Sequence, residues 1–259
     1  PGGEACFIMG ERSDNTRLSL AQQWLTRAVF LRQRWRSTAQ CYVTCPGNPD
    51  GMGAQLHARL STMLYARALG LTYAHTPFQD LQHAPPGVAR WTERWEAFLG
   101  LGEGELPADQ VTARLGPPRR VESPTQIVVQ PQTFWAVTHA HTYANLFPHQ
   151  YNELVPSLRA RYQRASRGLH PAHRTEGACN VALHLRRGDV KPTSQVRYTA
   201  EDYYGRIVRE LRAQAHRLDR PLVIRVFSQG QPGDFPALQA LGVEFHLDED
   251  LFTTFHSLT

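Results

Sequence analysis

The sequence predicts an α/β chain built on parallel sheets, and three observations carry that prediction. Between residues 40 and 76 it runs strand, glycine loop, helix, strand, as "QCYVTC", "PGNPDGMGAQ", "LHARLSTMLYARALG" and "LTYAHT". From residue 178 the same rhythm returns, as "NVALHL", "TAEDYYGRIVRELRAQAHRL", "PLVIRVFS", "DFPALQALG" and "VEFHL". Third, 259 residues with 41% hydrophobic and 20% charged content suffice for one large domain or two small ones.

Each segment has its own rationale. Residues 1–39 form an extension that ends in "LSLAQQWLTRAVFLRQRW", where Leu20, Trp24, Ala28 and Leu31 recur at helical spacing. The basic face of residues 18–36 suits a membrane surface or another protein, or packing on the chain's own core. Residues 40–170 make the first unit. Its glycine-led helix presents Leu56, Leu60, Met63, Leu64 and Leu69 on one face and stops at Gly70. Between 80 and 125, "APPG", "GLGEGELP" and "GPPRR" punctuate the chain, which predicts a lid-like insertion around a helix in "VARWTERWEAFLG". Trp91 and Trp95, four apart on that helix, are read as core and not as a sugar-stacking platform. "TQIVVQP" reads as a further strand, "NELVPSLRARYQRA" as a connecting helix with its proline near the start, and "SRGLHPAHRTEGACN" as a linker. Residues 178–259 make the second unit, which closes on a helix in "DEDLFTTFHSLT" with Asp248 as its cap. Three strands make a thin sheet, so this unit is expected to be incomplete.

Composition removes several function classes. No uncharged apolar run approaches the roughly 20 residues of a spanning helix, so a soluble chain is expected. The net charge of +5 is spread along the chain, not blocked, and does not favour nucleic acid. Of the 28 basic residues only Lys191 is a lysine, a bias read as coding composition. Cys6, Cys41, Cys45 and Cys179 contain no CxxC, which argues against zinc. Cys41 and Cys45 share a strand face roughly 13 Å apart, too far for a mutual disulfide. His139 and His141 in "THAHTY" lack a third ligand nearby and are read as strand or loop residues.

The charged cluster in "VALHLRRGDV" carries the chemistry. In open α/β sheets ligands bind beyond the carboxyl ends of the strands, which is where Arg186 and Arg187 fall. Adjacent guanidiniums suit phosphate oxygens, Gly188 permits close backbone approach, and Asp189 can hold an arginine by a bidentate pair. A diphosphate is the natural guest. Pairing of the arginines with surface carboxylates, with the glycine merely ending the strand, is the alternative; an Arg-Gly-Asp adhesion motif is a third, disfavoured by the apolar strand it abuts.

"HLRRGD" resembles the H-x-R-R-x-D motif of the fucosyltransferase superfamily that includes alpha-1,2, alpha-1,6 and protein O-fucosyltransferases. "GMGAQLHARLSTMLYARALGLTY" is similar to the G-x-G-N-Q loop and following helix of the same enzymes, and the two motifs come in family order across residues 40–259. The resemblance implies a GT-B-like fold of two Rossmann-like units facing a cleft, and inverting transfer of fucose from GDP-fucose to a glycan or glycoprotein acceptor, without a metal. It makes Arg186 and Arg187 catalytic ligands of the departing GDP. It adds His184, Asp189, Gly51, Gly53, Gln55 and Ser228 to the donor site. Three departures accompany it. Ala54 stands where the pattern has Asn, Gln229 and Gly230 replace acids beside Ser228, and the chain ends before the elements that usually complete the donor site. A non-catalytic glycosyltransferase-like subunit of a larger assembly is the alternative. Candidates for a general base are Asp50, His57, His75 and Asp80, each near a loop or strand end.

Overall fold

The structure, a computed structural model, describes residues 28, 40–47, 49–85, 87–138, 148–166, 173–188, 190 and 198–259. The helix expected in 18–36 (Ala28 apart), Cys6, His139, His141, Asp189 and Lys191 lie outside them. The chain divides into two compact units, drawn from Ile8–Arg167 and Gly168–Thr259.

In the first unit β1 (Cys41–Thr44), β2 (Thr72–His75), β3 (Leu106–Pro107), β4 (Arg119–Val121) and β5 (Thr133–Val137) form one parallel sheet in the order β3-β2-β1-β5-β4. Strands in its middle are covered on both faces, which is why "CYVT" and "TFWAV" are buried throughout. Alternation assigns the faces. Cys41 and Val43 meet Met63, Leu64 and Leu69 of α1 (Met52–Leu69) and Leu154 of α4 (Pro148–Ala165). On the opposite face Tyr42, Ala74 and Phe134 meet Val111 of α3 (Ala108–Leu115). α1 stops where expected: Gly70 takes a left-handed φ of 70°, and Leu71 N–H donates to Ala66 O at 2.8 Å.

Three expectations for this unit are corrected. The stretch 80–125 is not a lid-like insertion, because β3 and β4 within it are the two edges of the sheet. "TQIVVQP" is not a strand: Pro124 and Pro131 lack ladder donors, and a 3-10 turn at Pro124–Gln126 is capped by Ser123. Ile127 and Val129 still enter the core, but the ladder is made by β5 just after them. Pro156 sits well inside α4, which begins eight residues earlier at Pro148. The helix α2 (Trp91–Leu99) behaves as expected, with Trp91 and Trp95 buried edge to face at 5.7 Å.

The second unit carries β6 (Cys179–His184), β7 (Leu222–Ser228) and β8 (Glu244–Leu247) as a parallel sheet, with α5 (Glu201–Gln214), α6 (Pro236–Ala240) and α7 (Leu251–Leu258). One face is apolar: Val181, Leu183, Leu185, Ile224, Val226, Phe245 and Leu247 pack with Val208 of α5 and Leu238 of α6. The other is polar at its centre. There Arg225, 6% exposed, bonds Asn180 Oδ1 at 2.6 Å, Thr175 Oγ1 at 2.7 Å and Glu244 Oε2 at 2.8 Å. Asp250, not Asp248, caps α7: its carboxylate accepts Thr253 N–H at 3.0 Å, while Asp248 takes a left-handed φ of 52° in the turn before it. Among the described residues no helix is long and apolar enough to cross a membrane.

Candidate functional site

In the second unit the carboxyl ends of all three strands are tied into one rim. Leu185 N–H donates to Phe227 O at 2.9 Å, and Ser228 Oγ–H to Leu185 O at 2.8 Å. Asp248 N–H reaches Ser228 O at 3.0 Å, and Gly230 N–H reaches Asp248 Oδ2 at 3.3 Å. The hydroxyl of Ser228 therefore supports the rim. Arg186, Arg187 and Gly188 follow directly on Leu185.

The two arginines differ. Arg187 is half-buried; its guanidinium donates to Arg186 O at 2.9 Å and Thr199 O at 3.0 Å and lies over the Tyr198 ring at 4.3 Å. It holds the loop in shape. Arg186 is exposed and follows directly on the strand end. His184 counts among the exposed residues, yet partial burial of its ring, together with the Arg186 charge, lowers its pKa below the ordinary histidine value. Gly188 adopts a φ of 76°, and a Cβ there would lie 1.9 Å from Gln229 Oε1. The Gln229 side chain thus fills the space that a side chain at position 188 would need.

In the first unit the loops after β1 and β2 are clamped together. Thr44 and Thr76 hydroxyls meet at 2.7 Å. Gln82 N–H donates to Asp50 O at 3.0 Å, and a Cβ on Gly47 would lie 2.7 Å from Gln79 Cβ. Gln55 is buried, donates through Nε2 to Gln79 O at 2.5 Å, and accepts Gln79 N–H at 3.3 Å. Its amide is committed to the loop. Gly51 and Gly53 are different, since a Cβ on Gly51 would make only ordinary contact and one on Gly53 would meet nothing within 4 Å. The unit's own packing does not demand either glycine.

Beneath this loop lies an arrangement no sequence signal announced. Arg59, fully buried, donates to Thr76 O at 3.0 Å, Gln55 O at 3.0 Å and Pro77 O at 2.6 Å, and stacks over Phe78 at 4.5 Å. Burial lowers its pKa, and the Cys45, Tyr73 and Glu96 side chains partly restore it. Beside it Tyr73, His75 and Glu96 form a chain, with Tyr73 Oη 3.2 Å from His75 Nδ1 and His75 Nε2 2.7 Å from Glu96 Oε1. An ionised carboxylate only accepts, so His75 donates through Nε2 and takes the Tyr73 O–H at Nδ1. Burial pushes the Tyr73 phenol up, which keeps that proton in place.

Both nitrogens of His75 are thereby occupied, and it is no longer a candidate base. His57 is exposed on α1. Asp50 and Asp80 are exposed on the joined loops; Asp50 Oδ1 accepts Gly51 N–H at 2.7 Å. Glu96, with Pro77, Phe78 and Gly102, borders an open pocket of about 380 Å³.

Burial alone would raise the Glu96 pKa. Hydrogen bonds from His75 and from Phe78 N–H, with the charge of Arg59, bring it below the ordinary carboxylate value. A carboxyl whose folded pKa is depressed stabilises the fold above its unfolded pKa, about 4.3 for glutamate, and that contribution is lost as pH falls through the folded value. Glu96→Gln should therefore melt below wild type at neutral pH, with the gap narrowing in acid. Melting scans across pH check this; a gap of constant size would mean that the carboxylate charge does not hold the loop.

No known protein-family profile matches the sequence, and no curated protein matches it. Among solved structures it is similar to one described as "Crystal structure of NodZ alpha-1,6-fucosyltransferase soaked with GDP-fucose", at 12% identity and a TM-score of 0.36 over 85% of this chain and 80% of that one. A TM-score at that level assigns no residue a role; the fold described above rests on the chain's own two parallel sheets.

Proposed function

We propose that the chain binds a nucleoside diphosphate sugar, GDP-fucose by the resemblance of its motif, and transfers the sugar with inversion to a glycan or glycoprotein hydroxyl. The observation that supports this best is the exposed Arg186 at the carboxyl end of β6, beside the left-handed Gly188 and close enough to His184 to depress its pKa. In that reaction the acceptor oxygen bonds to the sugar C1 as the C1–O bond to the diphosphate breaks. The electron pair leaves on the β-phosphate, where Arg186 offsets the new charge. Arg187 keeps the loop in position. The acceptor hydroxyl passes its proton to solvent as the new bond forms.

The test is a titration with GDP, with UDP as control, read both by calorimetry and through the His184 imidazole in NMR. Burial is the larger cause of the lowered His184 pKa and the Arg186 charge the smaller; a diphosphate on Arg186 cancels the second, so GDP should raise that pKa and UDP should do so less. GDP that binds but leaves His184 unmoved would separate the ligand from Arg186. Absence of binding would favour the second reading, a non-catalytic glycosyltransferase-like subunit, which Ala54 and the committed amide of Gln55 support.

A further inference from the structure

We propose that His173, His246 and Glu249 in the second unit form a binding site for a divalent transition-metal ion of the zinc type. The three donor atoms lie within 4.8 Å of one another. His246 is the third residue of β8, on the face opposite Phe245 and Leu247, and the left-handed turn at Asp248 brings Glu249 back so that its Oε1 lies 2.9 Å from His246 Nδ1. His173, six residues before β6, reaches the same carboxylate from the other side, with Nε2 2.9 Å from Glu249 Oε2.

The set has the chemistry of a metal site. Two imidazole nitrogens and one carboxylate oxygen suit zinc, cobalt or nickel, whereas calcium and magnesium take oxygen ligands. Side-chain exposures of 22% for His173, 15% for His246 and 24% for Glu249 leave one side open, as a fourth, solvent-facing position requires. Phe227, 1% exposed, stacks on the His246 ring at 5.0 Å and fixes its plane. His246 Nε2, on the far side, is buried with no hydrogen-bond partner, so ligation through Nδ1 would place the ring proton there and cost part of the binding energy.

The simpler arrangement has each imidazole donate one N–H to the carboxylate. It brings the two ring centroids to 3.7 Å of one another around a single carboxylate. One dication meets the carboxylate and both nitrogen lone pairs at once. The site is separate from the nucleotide-sugar reading, since none of its residues belongs to the arginine loop. Register places His246 in line with Phe227 and His184 across the sheet.

The full chain, stripped by a chelator, would be titrated with Zn²⁺ by calorimetry and with Co²⁺ by visible absorption. The expected result is one ion per chain with nitrogen and oxygen ligation. Glu249→Gln and His173→Gln should each weaken it by about tenfold or more, since even groups that only support a ligand change affinity by about that much. Wild type that takes up no ion, a Co²⁺ spectrum dominated by thiolate charge transfer, or folded variants that bind as tightly as wild type would overturn the proposal. The wild-type spectrum decides even if a variant fails to fold.

Discussion

Arg59→Ala should lower the stability of the first unit by about 4 kcal/mol, since breaking one side of a buried charged network costs about 3 to 5 kcal/mol. The substitution removes a guanidinium with no exposed surface together with its hydrogen bonds to the carbonyls of Thr76 and Pro77 and to that of Gln55, which keeps its helical N–H. It also leaves a void beneath Phe78. At about 2 to 4 °C per kcal/mol for a chain of this size, the melting temperature should fall by roughly 10 °C. Arg59→Met fills much of the void and restores none of the hydrogen bonds, so about half the loss should persist. Thermal unfolding followed by tryptophan fluorescence reads the effect, because Trp91, Trp95 and Trp135 all lie in this unit. If the methionine variant melts with wild type, volume and not hydrogen bonding is what Arg59 supplies.

Arg186→Ala should weaken GDP binding by about 1.5 to 3 kcal/mol for a lost charge-assisted contact, about 10- to 150-fold. Arg187→Ala should behave differently. Its guanidinium ties Arg186 O to Thr199 O and covers Tyr198, so removal should lower both affinity and stability. Calorimetric titration and melting of both variants separate a ligand contact from a loop support. Arg186→Ala with wild-type affinity would remove the diphosphate reading of this strand end.

What the sequence disclosed follows a physical line. Strands buried on a whole face, such as "CYVT", "NVALHL" and "LVIRVFS", carry enough β-branched and apolar residues to be read directly. The edges do not: β3 is only Leu106–Pro107 and β4 is "RRV", too short and too polar to show a period. β5 was hidden by "TQIVVQP", a neighbouring run whose consecutive β-branched Ile127, Val128 and Val129 read as a strand but which prolines keep out of the ladder. The arginine strand end was legible because strand, charge and glycine are contiguous. The Arg59 clamp was not, since its acceptors are backbone carbonyls, which any residue type supplies. His173 and Glu249 are 76 residues apart and meet only through the pairing of β6, β7 and β8, so no spacing motif could have announced them.

The polar row at Arg225 decides alignment. On the apolar face of the small sheet, Val181, Leu183 and Leu185, Leu222, Ile224 and Val226, and Val243, Phe245 and Leu247 repeat every second residue. A strand displaced by two positions would present that face almost unchanged. Arg225 would not tolerate it, because its partners Asn180 and Glu244 come from the two flanking strands and are within reach in one register alone. A misaligned sheet would bury a guanidinium away from its acceptors, a far larger penalty than a shifted leucine. Selection among near-equivalent pairings thus falls to one cation, and with it the level at which His184, Ser228 and Asp248 come to stand side by side.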